Sequence, residues 1–192
     1  AQQCYINEYV YDVASEECDA VRRLRDAIST RIAEAFECAG NFELAEARLS
    51  QVDDAQLDPF TRGVATIIRA TIALFRADLL HAIELARNAL AVASTTVIDP
   101  ADPNAELSNI TTLFLTMLLA EAETAAGKLR NAVASFRHQL EVQTSSTLAG
   151  FGSIFFGYAH VRLAELFYEW NERDSAARHA DQGLALSRVE HN

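Results

Sequence analysis

The chain is poor in the residues that interrupt regular secondary structure. Its 192 residues include three prolines and seven glycines. Proline is the residue that most strongly breaks a helix, so its scarcity leaves long helices possible. Alanine and leucine dominate, and β-branched residues form no alternating runs that would indicate strands. The composition therefore predicts a helical protein.

The cysteines and histidines lack the spacings of metal or redox motifs. Cys4, Cys18 and Cys38 form no C-x-x-C pair, so we expect reduced thiols rather than a zinc knuckle or a thioredoxin-type site. The histidines form no H-x-x-x-H or H-E-x-x-H pair. They are His81, His138, His160, His179 and His191. Glu165 and Glu169 are four residues apart, but no nucleophile or acid/base partner accompanies them. We therefore expect no metal, no cofactor and no catalytic residue, and predict that the chain is not an enzyme.

Positive charge is also scarce. The formal net charge is −11, and the densest basic group, Arg22, Arg23 and Arg25, is followed directly by Asp26. Phosphate backbones are bound by clustered Lys and Arg, so we expect this segment to bind no nucleic acid.

No long apolar run is present. The uncharged stretch 107–120 is short for a membrane span, and 142–161 is interrupted by polar residues, whereas a span needs about 20 predominantly apolar residues. Glu8 and Asp12 interrupt the first apolar residues, which argues against a signal peptide. We expect a cytoplasmic protein that does not contact a membrane.

Small residues recur in a fixed frame along the chain. In four places an alanine follows another alanine by twelve residues and a turn residue by five. The four sets are Ala33, Gly40 and Ala45; Ala70, Ala77 and Ala82; Ala120, Gly127 and Ala132; and Ala164, Asn171 and Ala176. This frame is typical of tetratricopeptide repeats, in which two antiparallel helices touch through small side chains. It predicts an all-α, right-handed superhelical solenoid of about four antiparallel helix pairs.

Periodicity and capping residues set the expected helix limits. The predicted pairs are 21–38 with 42–52, 59–76 with 79–93, 103–126 with 129–143, and 153–170 with 173–189. Asp58-Pro59 and Asp102-Pro103 are typical helix starts. We expect one domain over 1–192, with repeats over 15–189 and a helix or ordered arm over 1–14.

Two blocks of the chain carry more specific repeat motifs. One block, 157–187, contains a "YEWN" repeat with Leu163, Ala164, Tyr168, Glu169, Trp170, Asn171, Ala176, Gly183, Leu184 and Leu186. The other contains Arg62, Gly63, Arg69, Ala70, Asp78, Ala82, Ile83, Ala86, Ala89 and Leu90. Both blocks resemble the helical repeats of MalT-like regulators, the large ATP-dependent LuxR-type transcription activators, and the resemblance covers roughly residues 40–188. The key alanines are 37, 50 and 44 residues apart, longer than the period of about 34 in a strict tetratricopeptide repeat.

The resemblance implies a sensor segment of a three-part regulator. No G-x-x-x-x-G-K-[ST] motif and no basic helix-turn-helix unit is present, so we expect a fragment that lacks the nucleotide switch and the DNA-binding part. It would bind a small-molecule inducer or a partner protein. The alternative is a stand-alone tetratricopeptide scaffold that docks a peptide or protein. Exposed apolar faces at the ends of a solenoid would also permit self-association.

The repeat register gives the candidate ligand residues. We expect them on the concave side, formed by the first helix of each pair, at Thr71, Glu121, Glu165 and Tyr168. The single tryptophan, Trp170, is expected to pack between neighbouring helices.

Overall fold

A computed structural model describes residues 2–95, 105–143 and 151–189. Within these ranges all regular secondary structure is helical, with eight α-helices and one short 3-10 helix, Asp54–Gln56. The α-helices are α1 Gln2–Cys38, α2 Phe42–Leu49, α3 Pro59–Phe75, α4 Leu79–Thr95, α5 Ala105–Ala125, α6 Leu129–Gln143, α7 Phe151–Glu169 and α8 Arg173–Val189. The prediction of a helical fold is confirmed for this part of the chain.

Most helix limits agree with the sequence patterns to within about two residues. Two differences stand out. Helix α1 begins at Gln2, so the segment for which a helix or an arm was expected is continuous helix. Helix α2 ends at Leu49, because the N–H groups of Gln51 and Val52 donate to carbonyl groups three residues back instead of four. The Asp102-Pro103 start expected for the third pair lies outside the described residues.

Four turns of one kind join α1 to α2, α3 to α4, α5 to α6, and α7 to α8. Their central residues all have positive φ: Gly40 (73°), Ala77 (60°), Gly127 (70°) and Asn171 (60°). In each turn the following N–H donates to a carbonyl five residues back, as Lys128 does to Glu123 at 2.8 Å. The other three such bonds run from Asn41 to Phe36, from Asp78 to Ala73 and from Glu172 to Phe167. This is the Schellman helix end, which satisfies the last carbonyls of a helix. The four residues predicted as turns are confirmed.

Contacts between Cα atoms divide the chain into two compact units, Ala1–Ile68 and Arg69–Asn192. The division falls within α3. Whether the chain forms a single domain therefore stays a prediction, as does the superhelical arrangement.

In the first unit α1 packs against α2 and the 3-10 helix. Ala33 and Ala45 are fully buried there, together with Leu49 and Leu57. Asp58 begins α3 as predicted, because its carboxylate accepts hydrogen bonds from the Thr61 N–H at 3.0 Å and the Thr61 hydroxyl at 2.5 Å.

In the second unit α4 packs against α5, α5 against α6, α6 against α7 and α7 against α8. A further contact joins α5 directly to α7. The main core cluster gathers side chains from α5, α6, α7 and α8. Its buried members are Ala120, Ala132, Val133, Phe136, Ala159, Leu163, Leu166, Phe167 and Ala176. A second cluster joins α3 and α4 to α5 through Ala73, Ala82, Ile83, Ala86, Leu119 and Ala122.

The alanine frame coincides with the core at seven of its eight helical positions. Buried alanines are Ala33, Ala45, Ala70, Ala82, Ala120, Ala132 and Ala176. Ala164 is partly exposed, and the fully buried residues of that helix are Ala159 and Leu163. None of the described helices is long and apolar enough to cross a membrane.

Candidate interaction surface on α5 and α7

Helix α7 exposes a stripe of large side chains along one face. Ile154, Tyr158, Val161 and Tyr168 are 57%, 38%, 45% and 71% exposed, and Glu165 is exposed between the last two. Steps of four and three residues keep positions on one side of a helix. The opposite side of α7 supplies Phe156, Leu163 and Phe167 to the core. The stripe is therefore the outer face of a helix whose opposite side packs in the core.

Helix α5 lies beside this stripe. The Phe114 ring, 37% exposed, meets the Phe155 ring edge to face with centroids 4.5 Å apart. Further along both helices, the Tyr158 hydroxyl donates to the Glu121 carboxylate at 2.9 Å. We call the combined surface the α5–α7 face. It consists of Phe114, Glu121, Ile154, Tyr158, Val161, Arg162, Glu165 and Tyr168.

Arg162 organises the charged part of the α5–α7 face. Its Nε and one terminal nitrogen donate to the two carboxylate oxygens of Glu121, at 2.7 and 3.0 Å. Its other terminal nitrogen donates to Glu165 on its own helix. Two parallel N–H···O bonds to one carboxylate fix direction as well as distance. Arg162 thus holds one carboxylate from each helix in a defined position, and the three groups together carry one net negative charge.

Tyr158 stays protonated beside this cluster. Burial, together with the hydrogen bond to Glu121 and its negative charge, raises the pKa of Tyr158 to about 12. Burial lowers the pKa of Arg162, but the hydrogen bonds and charge of Glu121, with the charge of Glu165, outweigh it, so the net change is upward. The Tyr158 hydroxyl is a donor and Arg162 a cation throughout the physiological range.

The structure brings together two of the four predicted ligand residues, and it buries a third. Glu121 and Glu165 both bind Arg162. Tyr168 lies on the same stripe, three residues beyond Glu165, and is mostly exposed. Thr71 is 9% exposed, so it does not offer the open surface that the repeat register predicts. The reason is that its stretch of α3 is buried nearly all round, with Ala70, Ile72 and Ala73 at 1%, 4% and 6%.

Tyr158 and Arg162 are absent from the predicted set. Both could have been found in the sequence. Tyr158 precedes Glu165 by seven residues, two helical turns, so extending the register that gave Glu165 and Tyr168 reaches it directly. Arg162 precedes Glu165 by three residues, a spacing at which opposite charges pair on a helix.

A separate aromatic group joins α7 to α8. The Nδ1 atoms of His160 and His179 are 2.9 Å apart, and the His179 ring stacks on Phe167 with centroids 5.5 Å apart. The Arg137 guanidinium lies 5.4 Å from the centre of the same phenylalanine ring. Trp170 meets Phe167 edge to face at 6.1 Å and is 37% exposed, so its packing is only partial.

The α5–α7 face suits binding better than bond-making chemistry. It combines exposed aromatic and aliphatic surface with fixed carboxylates, the usual elements of a recognition surface. Among the described residues no group of three or more His, Cys, Asp or Glu is arranged to hold a metal ion. The α5–α7 face therefore offers contacts to a ligand, and the absence of catalysis stays a prediction.

Comparison of the chain with protein-family models, curated proteins and solved structures gives no match. The resemblance to MalT-like repeats therefore rests on the residues of the two blocks, Arg62–Leu90 and Gly157–Ser187, alone.

Proposed function

We propose that this chain is a non-catalytic sensing and interaction domain built from helical repeats, and that it belongs to a MalT-like transcription regulator. The α5–α7 face would bind the effector. The observation that carries this proposal is the joining of Glu121 and Glu165, both predicted as ligand residues, through Arg162 on one exposed face.

The geometry of α5 and α7 supports a repeated architecture. Phe114 meets Phe155, and Glu121, seven residues further on, meets Tyr158 and Arg162. The contacts advance in the same direction along both helices, as first helices of successive repeats do when they line one surface. Equivalent positions from two repeats then contribute to the same face, and modest polar groups converge there without being close in sequence.

An effector would act by binding one arrangement of the regulator more tightly than another. The fixed carboxylates give orientation, and the exposed rings of Phe114, Tyr158 and Tyr168 give apolar contact area. Sugars and small polar metabolites are recognised by this combination of ring stacking and acceptor groups.

The alternative is a scaffold that docks a peptide. One observation favours it: the α5–α7 face carries several exposed large side chains, which are Phe114, Ile154, Tyr158 and Val161. A peptide bearing apolar side chains and a basic residue would match them and the negative charge of the Glu121–Arg162–Glu165 cluster.

A thermal-shift screen with sugars, small metabolites and basic peptides tests both readings. A compound present at about 100 times its dissociation constant stabilises the folded chain by roughly 2.7 kcal/mol. Stabilisation by a small metabolite supports the sensor, and stabilisation by peptides alone supports the scaffold. Glu165→Ala should remove the effect, while Arg130→Ala, an exposed change on α6, should leave it.

A further inference from the structure

Helix α1 is turned with its apolar side outward. Val21, Leu24, Ile28 and Ile32 are 67%, 62%, 51% and 36% exposed. On the other side of the helix the polar residues Asp26 and Thr30 are fully buried, at 0% exposure. We call the outward residues, together with the exposed Ala35, the α1 stripe. An amphipathic helix normally buries the face that this one presents to solvent.

The buried Asp26 and Thr30 have hydrogen-bond partners within α1, and Asp26 has one further partner outside the helix. The Asp26 carboxylate accepts two N–H groups from Arg25, at 3.0 and 2.8 Å, and the Asp53 backbone N–H at 3.4 Å. The Thr30 hydroxyl donates to the Asp26 carbonyl at 3.0 Å. Turning α1 to bury the α1 stripe would break the bond to Asp53 and replace the fully buried Ala33 in the core. The bond from Asp53 and the packing of Ala33 therefore both favour the orientation with the apolar side outward.

The spacing of the α1 stripe is symmetric about Ile28. Leu24 and Ile32 are four residues before and after it, and Val21 and Ala35 are seven residues before and after it. At 3.6 residues per turn all five positions fall within about 40° of the Ile28 direction, so the stripe is nearly straight. Read from either end it presents the same spacing. A second copy of α1 running in the opposite direction matches it residue for residue, with Val21 against Ala35 and Leu24 against Ile32.

The charge around the α1 stripe also suits a second copy. Between Cys18 and Cys38 four arginines balance four acids, although the whole chain carries −11. Arg25 is bound to Asp26, and Arg31 to Glu34, so the two arginines nearest the stripe are neutralised by their own helix. Two copies of an acidic chain repel over most of their surface. The segment from Cys18 to Cys38 adds no net charge to that repulsion.

We propose that the α1 stripe is a dimer interface, at which α1 of one copy packs antiparallel against α1 of a second copy with Ile28 at the two-fold axis. The interface is isologous, since each α1 stripe supplies the same surface to the other. It belongs to the first unit and the α5–α7 face belongs to the second, so separate variants test dimerisation and effector binding.

Sedimentation equilibrium of the full chain from about 1 to 200 μM tests the proposal, since small interfaces have dissociation constants in the micromolar range. The mass should rise from 21.1 kDa towards twice that value. Leu24→Glu should hold the mass at that of the monomer with an unchanged helical circular dichroism spectrum, because Leu24 is exposed. The matched control Leu80→Glu changes a leucine of α4 that is 69% exposed, and it should dimerise like the wild type.

Three results would overturn the proposal. They are a wild-type chain that stays monomeric at the highest concentration, a Leu24→Glu variant that dimerises as the wild type does, and a Leu80→Glu variant that is equally monomeric. Binding of the monomer to lipid vesicles that Leu24→Glu abolishes would assign the α1 stripe to a membrane surface instead.

Cysteine cross-linking tests the direction of the two helices. In a background with Cys4, Cys18 and Cys38 changed to serine, Ile28→Cys should form disulfide-linked dimers on oxidation, because the two-fold axis brings the two copies of this residue together. Val21→Cys should not, but should cross-link to a chain carrying Ala35→Cys. Cross-linking of Val21→Cys to itself would contradict the antiparallel arrangement.

Discussion

The imidazole rings of His160 and His179 connect α7 to α8 through a contact of 2.9 Å between their Nδ1 atoms. One ring must donate and the other accept, so the contact requires at least one neutral imidazole. Burial, and then the charge of His179, lower the pKa of His160. Burial, and then the charges of Arg137 and Arg178, lower the pKa of His179. The folded chain thus favours two uncharged rings.

This pair predicts a loss of stability in mild acid. Because both folded-state pKa values lie below the ordinary value of 6.5, the unfolded chain takes up protons first as the pH falls. The contribution of the pair to the free energy of unfolding is complete well above pH 6.5, and it declines as the pH falls through and below that value. Urea unfolding at pH 7.5 and 5.5 should show the decline, and His160→Asn with His179→Gln should reduce it. An unchanged pH dependence in that double variant, or an equal reduction by His138→Asn at an exposed position, would contradict this assignment.

The turns predict opposite effects for two matched substitutions. Gly127 has φ of 70°, and a Cβ added there meets nothing within 4 Å, so Gly127→Ala costs only backbone strain, about 1–2 kcal/mol. Ala77 already bears that strain at φ of 60°. Ala77→Gly should stabilise the fold by about 0.5 kcal/mol after the greater entropy of glycine in the unfolded chain is deducted. Urea unfolding of both variants measures these differences, and destabilisation by Ala77→Gly would contradict the turn geometry.

The alanine frame predicts unequal tolerance of larger side chains. Ala120 is fully buried in the main core cluster, so Ala120→Leu should destabilise by about 1–3 kcal/mol through overpacking. Ala164 is partly exposed, and Ala164→Leu should cost less than about 1 kcal/mol. Thermal unfolding followed by circular dichroism compares the two. Equal melting temperatures for both variants would show that the helices do not approach closely at Ala120.

Removal of the buried carboxylate of Glu123 should destabilise the fold more than removal of the partly exposed carboxylate of Glu121, two residues away. Glu123 is 1% exposed and accepts hydrogen bonds from Arg87 at 2.5 Å and Ser135 at 2.9 Å. Glu123→Ala should destabilise by about 2–3 kcal/mol, since it leaves a cavity and removes a buried carboxylate from its partners Arg87 and Ser135. Glu121→Ala should cost less than about 1 kcal/mol, because water reaches the Glu121–Arg162 pair. Chemical denaturation gives both values, and the reverse order would be inconsistent with the burial of Glu123.

Local chemistry explains why the helices and turns could be predicted from the sequence. Gly40, Gly127 and Asn171 are residues that tolerate positive φ, and each falls where an apolar periodicity stops. Alanine has no such tolerance, so the turn at Ala77 could be predicted only from the spacing of the alanine frame. Helix α1 was underestimated, because Tyr9, Val10 and Tyr11 favour strands when considered alone.

The contacts between helices were less predictable. The Glu121–Arg162 pair joins residues 41 positions apart, and no short-range pattern connects them. Thr71 was assigned to an open face because the register treats all repeats as equally exposed, whereas its part of α3 is buried nearly all round. The inverted orientation of α1 depends on the bond from Asp53 to Asp26, which amphipathic periodicity cannot reveal.

The most direct test of the proposed function is a thermal-shift comparison of the wild type with the double variant Glu165→Ala, Tyr168→Ala, using the same set of sugars, small metabolites and basic peptides. Both side chains are exposed, so the variant should unfold within a few degrees of the wild type without ligand. At least one compound should raise the wild-type melting temperature by about 5–10 °C and leave the variant unchanged. The proposal is contradicted if no compound shifts the wild type, or if the same compound shifts both proteins equally.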